Sequence, residues 1–138
     1  MLFRSADLIA GFPTESEAMF ERSLALIEDC ALVYLHVFPY SARAGTPAAR
    51  MPQLAVALRR ERAARLRAAG AAARRRYLAG RRGTATAVLV ETSDADGARG
   101  HSEHFAAVRL DGPARPGEIV TARITGVAGD ELIGRRAA

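Results

Sequence analysis

Apolar residues along the chain follow two rhythms, and the change between them divides it. Asp7-Leu8-Ile9-Ala10 is a short apolar run that stops at Gly11-Phe12-Pro13, the pattern of a buried strand entering a tight turn. Thr14 and Glu17 have capping-box spacing and predict a helix start. Phe20, Leu24 and Ile27 then share one face, Glu17, Glu21 and Glu28 stay in solvent, and the helix closes near Asp29. Val33 to Phe38 predicts a second strand, so the order strand, helix, strand predicts a parallel unit. Alternation puts Val33, Leu35 and Val37 on one face of it and Tyr34, His36 and Phe38 on the other. His36 reads either as a hydrogen-bonded core histidine or as a group facing a ligand.

Pro47 and Pro52 bracket a connecting loop, after which Leu54 to Ala79 predicts one long helix. Its apolar stripe is thin: Leu54, Leu58, Leu66, Ala69, Ala73 and Tyr77. Gly70 interrupts it at a cost of roughly 1 kcal/mol against Ala, with no reason visible locally. Gly80 and Gly83 end the helix. Residues 84–91, 105–110, 119–127 and 131–135 then read as short strands, separated by turn clusters such as Ser93-Asp94-Ala95-Asp96-Gly97 and Ala128-Gly129-Asp130. They predict a small antiparallel barrel of the OB type, with Phe105, its one aromatic ring, in the core. The fold class expected is α/β followed by all-β, divided at residues 1–52, 53–80 and 81–138.

Composition sharpens this in one place. With 138 residues, 49% of them apolar, the chain has room for one ordinary domain or for part of one joined to a small second. No run reaches the roughly 18 apolar residues of a membrane span, and the amino terminus lacks a secretory layout, so a soluble cytoplasmic protein with no membrane partner is expected. A single cysteine, Cys30, forms no internal disulfide and reads as a structural thiol at the first helix's end. All 20 basic residues are Arg, and the net charge of +5 is unevenly spread. Ten Arg and one acid, Glu61, lie between Arg59 and Arg82, leaving the remainder at −4. Such localisation suits either a polyanion partner or a solvated helix face. His101 and His104 are three apart in strand context, which does not bring them together, so no metal site is assigned. Neither hydrolase nor phosphate-cradling motifs occur.

Two segments carry a resemblance. Asp7-Leu8-Ile9-Ala10-Gly11-Phe12-Pro13-Thr14-Glu15-Ser16-Glu17 resembles the D-x-I-V-G-F-P-G-E-T-E element of the tRNA methylthiotransferases, a branch of the radical S-adenosylmethionine proteins. Phe38-Pro39-Tyr40-Ser41-Ala42-Arg43-Ala44-Gly45-Thr46-Pro47-Ala48 resembles their F-x-Y-S-x-R-x-G-T-x-A element. The spelling His36-Val37-Phe38-Pro39-Tyr40-Ser41 is most similar to the branch acting on threonylcarbamoyladenosine beside the tRNA anticodon. Gly117-Glu118-Ile119-Val120 and Ile124-Thr125-Gly126 look like parts of the RNA-binding TRAM domain that ends these enzymes. Thr14 stands where the family usually has glycine, and it reads as tolerated because it gains a capping role.

The resemblance implies the last strands and helices of a radical-SAM partial TIM barrel (1–52), a long basic connecting helix (53–80) and a TRAM-like barrel (81–138). It implies Gly11, Phe12, Ser41, Arg43 and Thr46 beside S-adenosylmethionine or tRNA, and Arg74, Arg75, Arg76, Arg81 and Arg82 on RNA. Arg43 also admits a structural reading, paired with a nearby acid. Family enzymes hold 4Fe-4S clusters on cysteine trios, and soft thiolates are what such clusters require. This chain has one cysteine. It is therefore expected to be a carboxyl-terminal fragment, inactive alone, that binds tRNA, and its missing cluster-bearing part is a further candidate partner. A standalone RNA-binding adaptor is the alternative, and a non-functional remnant with a sticky sheet edge before Asp7 is a third possibility.

Overall fold

A computed structural model describes residues 4–137. The chain forms two compact units, one ending at Arg74 and the other beginning at Arg75. The first contains β1 (Ser5–Ala10), α1 (Glu17–Asp29), β2 (Tyr34–Pro39), a 3-10 turn (Pro47–Arg50) and most of α2 (Val56–Ala79). β1 and β2 pair in parallel, with Ser5 opposite Tyr34 and Ala10 opposite Pro39. One face of this small sheet is covered: Leu8, Ala10, Leu35 and Val37 pack with Phe20 and Ile27 of α1 and Ala63, Leu66 and Ala73 of α2. The other face is open, with Ile9 59% and Phe38 55% exposed. His36 is exposed on that side, and its register partner is Asp7, so the core-histidine reading is set aside.

Two sequence expectations change here. The helix cap is Ser16, whose Oγ accepts the Met19 N–H at 3.2 Å, and α1 starts one residue later. Thr14 does not cap; its φ of 71° places a β-branched residue in the left-handed region, where glycine would fit without strain. Gly70 gains the reason that its local sequence lacked. A Cβ there would meet Leu35 Cδ1 at 2.7 Å, so glycine lets α2 approach β2 closely.

The second unit is a closed barrel of β3 (Ala85–Asp94), β4 (Gly97–Ser102), β5 (Ala107–Asp111), β6 (Ile119–Ala128) and β7 (Glu131–Arg136). The strand order is β3-β4-β5-β7-β6, closing back onto β3. Every pairing is antiparallel except β5 with β7, which is the arrangement of an OB-like barrel. Val88, Val90, Val108, Leu110, Val120, Ile124 and Leu132 fill its interior. β4 is the strand whose place the sequence did not mark, because Gly-Ala-Arg-Gly-His-Ser offers no β-branched or aromatic residue. Its inward positions are small for a reason: a side chain at Gly100 would run into the Leu89 carbonyl, beside the register shift between Val90 and Thr92.

Phe105 is not core. It sits 69% exposed at φ 55° in the β4–β5 turn, where the buried Ser102 hydroxyl accepts N–H groups from His104 and Ala106. Among the described residues no helix is long and apolar enough to cross a membrane.

Candidate functional site

Parallel pairing brings the carboxyl ends of β1 and β2 side by side, so the loops that follow them emerge together. In α/β folds this is where ligands are held. The two loops are joined directly by the Tyr40 N–H, which donates to the Ala10 carbonyl at 2.8 Å. Beside them lies a concavity of about 550 Å³. Ile9, Phe38, Pro39 and Tyr40 give it apolar walls, and Ser41, Arg43, Thr46 and Ala48 complete it.

Ser41, Arg43 and Thr46 are thus brought together, though not in equal roles. Thr46 is committed to the loop: its hydroxyl donates to the Arg43 carbonyl at 2.8 Å and accepts the Ala49 N–H at 3.3 Å. Gly45, at φ 84°, allows the reversal just before it. Arg43 is exposed, and among the described residues no acid pairs with it. The Tyr40 hydroxyl is buried without a hydrogen-bond partner. Such an orphan is the kind of group a bound ligand satisfies. Phe12 meets Tyr40 edge to face, with ring centroids 5.3 Å apart at 75°. Gly11 is buried at φ 76°, and its Cα side faces the Arg59 stem.

Sequence reading missed Glu15, Arg59 and Arg62. Glu15 Oε2 accepts both the Gly11 N–H at 2.9 Å and Arg62 Nη1 at 2.8 Å. Arg62 also bonds Glu17 at 2.9 Å, and its guanidinium carbon stands 5.3 Å from the centre of the Phe20 ring. Burial works against the Arg62 charge, yet its bonds to Glu17 and Glu15 outweigh that and raise its pKa above the ordinary value. Arg65, and after it Arg62, hold the Glu17 carboxyl below its ordinary value. A faint signal existed. Arg62 lies four residues from both Leu58 and Leu66, within the apolar stripe, where an arginine must be paired to be buried.

The basic segment divides accordingly. Arg59, Arg62, Arg65 and Arg67 bond to Tyr40, Glu15, Glu17, Glu21 and Val37 within the first unit, and Arg74 lies over the Tyr34 ring at 4.8 Å. Arg81 lies over the Tyr77 ring at 5.9 Å, while Arg75, Arg76 and Arg82 are exposed. His101 pairs with Glu91 at 3.0 Å, apart from His104.

Known proteins match the sequence across both units. The chain is 43% identical over 88% of its length to the threonylcarbamoyladenosine tRNA methylthiotransferase MtaB of Rickettsia prowazekii. It is 40% identical over 93% of its length to the ribosomal protein uS12 methylthiotransferase RimO of an Anaeromyxobacter species. Over 96% of its length it is 38% identical to the tRNA-2-methylthio-N(6)-dimethylallyladenosine synthase of Cereibacter sphaeroides. The chain belongs to the methylthiotransferase family. It spans only 28%, 29% and 31% of the lengths of these three relatives. No protein-family model matches the chain.

Proposed function

We propose that this chain is the substrate-holding, carboxyl-terminal part of a tRNA methylthiotransferase, and that the reaction served is C2 methylthiolation of N6-threonylcarbamoyladenosine beside the anticodon. The observation that carries this is the continuous match to the threonylcarbamoyladenosine enzyme through both units, over 88% of the chain. On this reading β1, α1 and β2 are late elements of a radical-SAM partial barrel. The open face bearing Ile9 and Phe38 then belongs to its lumen, and the second unit is the TRAM domain.

The concavity suits an adenosyl group: apolar walls flank the base, and Ser41 and Arg43 offer polar contacts. Thr46 lines it as well, whereas Phe12 meets it only through its contact with the Tyr40 ring and Gly11 faces the Arg59 stem. S-adenosylmethionine bound there would contribute the radical chemistry of the parent reaction. A 4Fe-4S cluster does not fit this chain, since the three thiolates it needs are not present in a sequence with one cysteine. What remains to the chain is recognition: holding tRNA in the cytoplasm through Arg75, Arg76, Arg81 and Arg82, while Arg74 is turned onto the Tyr34 ring.

Titration with tRNA at increasing salt tests this. Affinity should fall between about 50 and 200 mM salt, and Arg75→Ala and Arg82→Ala should each reduce the salt slope by about one. Binding that ignores salt would overturn the tRNA assignment. The second reading, a standalone RNA-binding adaptor, is favoured by the single cysteine; it expects RNA binding with no S-adenosylhomocysteine binding at the concavity.

A further inference from the structure

Two arginines on one turn of α2 reach the loops that frame the concavity. Arg59 Nη1 donates to the Tyr40 carbonyl at 2.8 Å, nineteen residues earlier in the chain. The stem of the same side chain lies over Gly11, where a Cβ would meet Arg59 Cγ at 2.5 Å. Three residues on, Arg62 Nη1 donates at 2.8 Å to both the carboxylate and the backbone carbonyl of Glu15. Glu15 in turn accepts the Gly11 N–H, so the Gly11–Glu15 turn is held at both ends. That turn needs holding, because Thr14 within it occupies an unfavourable left-handed conformation. Phe12, within the turn, touches Tyr40.

We infer that Arg59, and Arg62 acting through Glu15, are positioning residues that set the spacing between the Phe12 ring and the Tyr40 ring, which lines the concavity. The inference rests on the adenosyl reading of that concavity. Neither arginine lines it, so both act by geometry: one turn of α2 fixes two loops that have no covalent reason to keep their distance. Arg59 is suited to this because its stem fills the space over Gly11 while its guanidinium reaches past to a backbone oxygen.

The test uses the full 138-residue chain with S-adenosylhomocysteine as probe, followed by NMR titration. Arg59→Met keeps the stem over Gly11 and removes the donor. Loss of one charge-assisted bond should weaken the probe about tenfold. The Phe12 and Tyr40 ring resonances and the Ser41 amide should move, while the β3–β7 amides stay in place. Glu15→Gln should shift the Gly11 amide and speed its hydrogen exchange, and serves if Arg59→Met does not fold. Wild-type affinity together with unmoved Phe12 and Tyr40 resonances in these variants would overturn the inference. Failure of the wild-type chain to bind the probe would defeat the adenosyl reading alone. The ring resonances would then decide the positioning role: displaced rings support it and unmoved rings refute it.

Discussion

Arg62→Met perturbs the first unit at the point where its charge is most deeply committed. The Arg62 side chain is 4% exposed and that of Glu15 10%, and they meet at 2.8 Å with a second bond to the Glu15 carbonyl. Methionine retains much of the stem's volume but leaves the Glu15 carboxylate buried beside the Gly11 N–H alone. Removing one partner of a buried pair costs about 3–5 kcal/mol. Water reaches Glu15 to a small extent and the stem is replaced, so the lower end, about 3 kcal/mol, is expected. With a urea dependence of about 1 kcal/mol per molar for so small a unit, the midpoint should fall by about 3 M, or the unit should unfold outright.

The amides of Phe20 and Ile27 are suitable probes, since both are buried in the first unit and two units need not melt together. Arg65→Met is the control. It breaks the bonds to Glu17 and Glu21, but every partner is 39% or more exposed, so its midpoint should hardly move. Adding Glu15→Gln to Arg62→Met should restore part of the loss, because the stranded carboxylate is gone. Equal costs for Arg62→Met and Arg65→Met would refute the argument that burial, not charge, decides.

Thr14→Gly should stabilise the first unit by about 0.5–1 kcal/mol in thermal melting, as relief of roughly 1–2 kcal/mol exceeds the extra freedom gained by the unfolded chain; a loss would show that the left-handed conformation at φ 71° costs little. Gly70→Ala should not deliver the roughly 1 kcal/mol expected from helix propensity, because its Cβ would press on Leu35 at 2.7 Å; a gain of that size would mean α2 does not depend on the close approach. Glu17 has its pKa depressed below 4.5 in the folded state, so its contribution is present above that value and disappears as pH falls through the folded pKa. Acid titration of the melting temperature should therefore show a decline beginning below about pH 4.5 that Glu17→Gln flattens, and identical profiles would refute the coupling.

What the sequence made legible follows from which interactions are local. Strand periodicity, the Pro and Gly punctuation and the position of α2 were readable because each rests on neighbouring residues. β4 was not, since its alternation is small against polar and is explained only by the Leu89 carbonyl opposite Gly100. The cap was misplaced by two residues because Thr14 and Ser16 both precede an acid-rich turn, and only backbone conformation separates them. In the candidate site, Ser41, Arg43 and Thr46 were visible as one loop. Glu15 and Arg62 stand 47 residues apart, and nothing short of the packed α2 brings them together.

The same distinction bears on how strongly this chain can hold RNA. Ten arginines between Arg59 and Arg82 look like one polyanion surface, and if all met phosphates on a single strand, the logarithmic salt slope would be about −7. The structure commits Arg59, Arg62, Arg65 and Arg67 to carboxylates and carbonyls of the first unit and lays Arg74 over Tyr34. Of the others, Arg60, Arg75, Arg76 and Arg82 are exposed and Arg81 is half-buried, so at most five of the ten reach phosphates without leaving the contacts just named. The barrel adds little, because its other arginines are offset by an excess of acids between Gly83 and Ala138. The expected slope is therefore no steeper than about −3.5 to −4.5, across single-stranded and duplex limits. A measured slope near −7 or beyond would mean that arginines bonded within the first unit, the buried Arg62 among them, leave their partners to bind RNA, and that unit would then lose its buried Arg62–Glu15 pair.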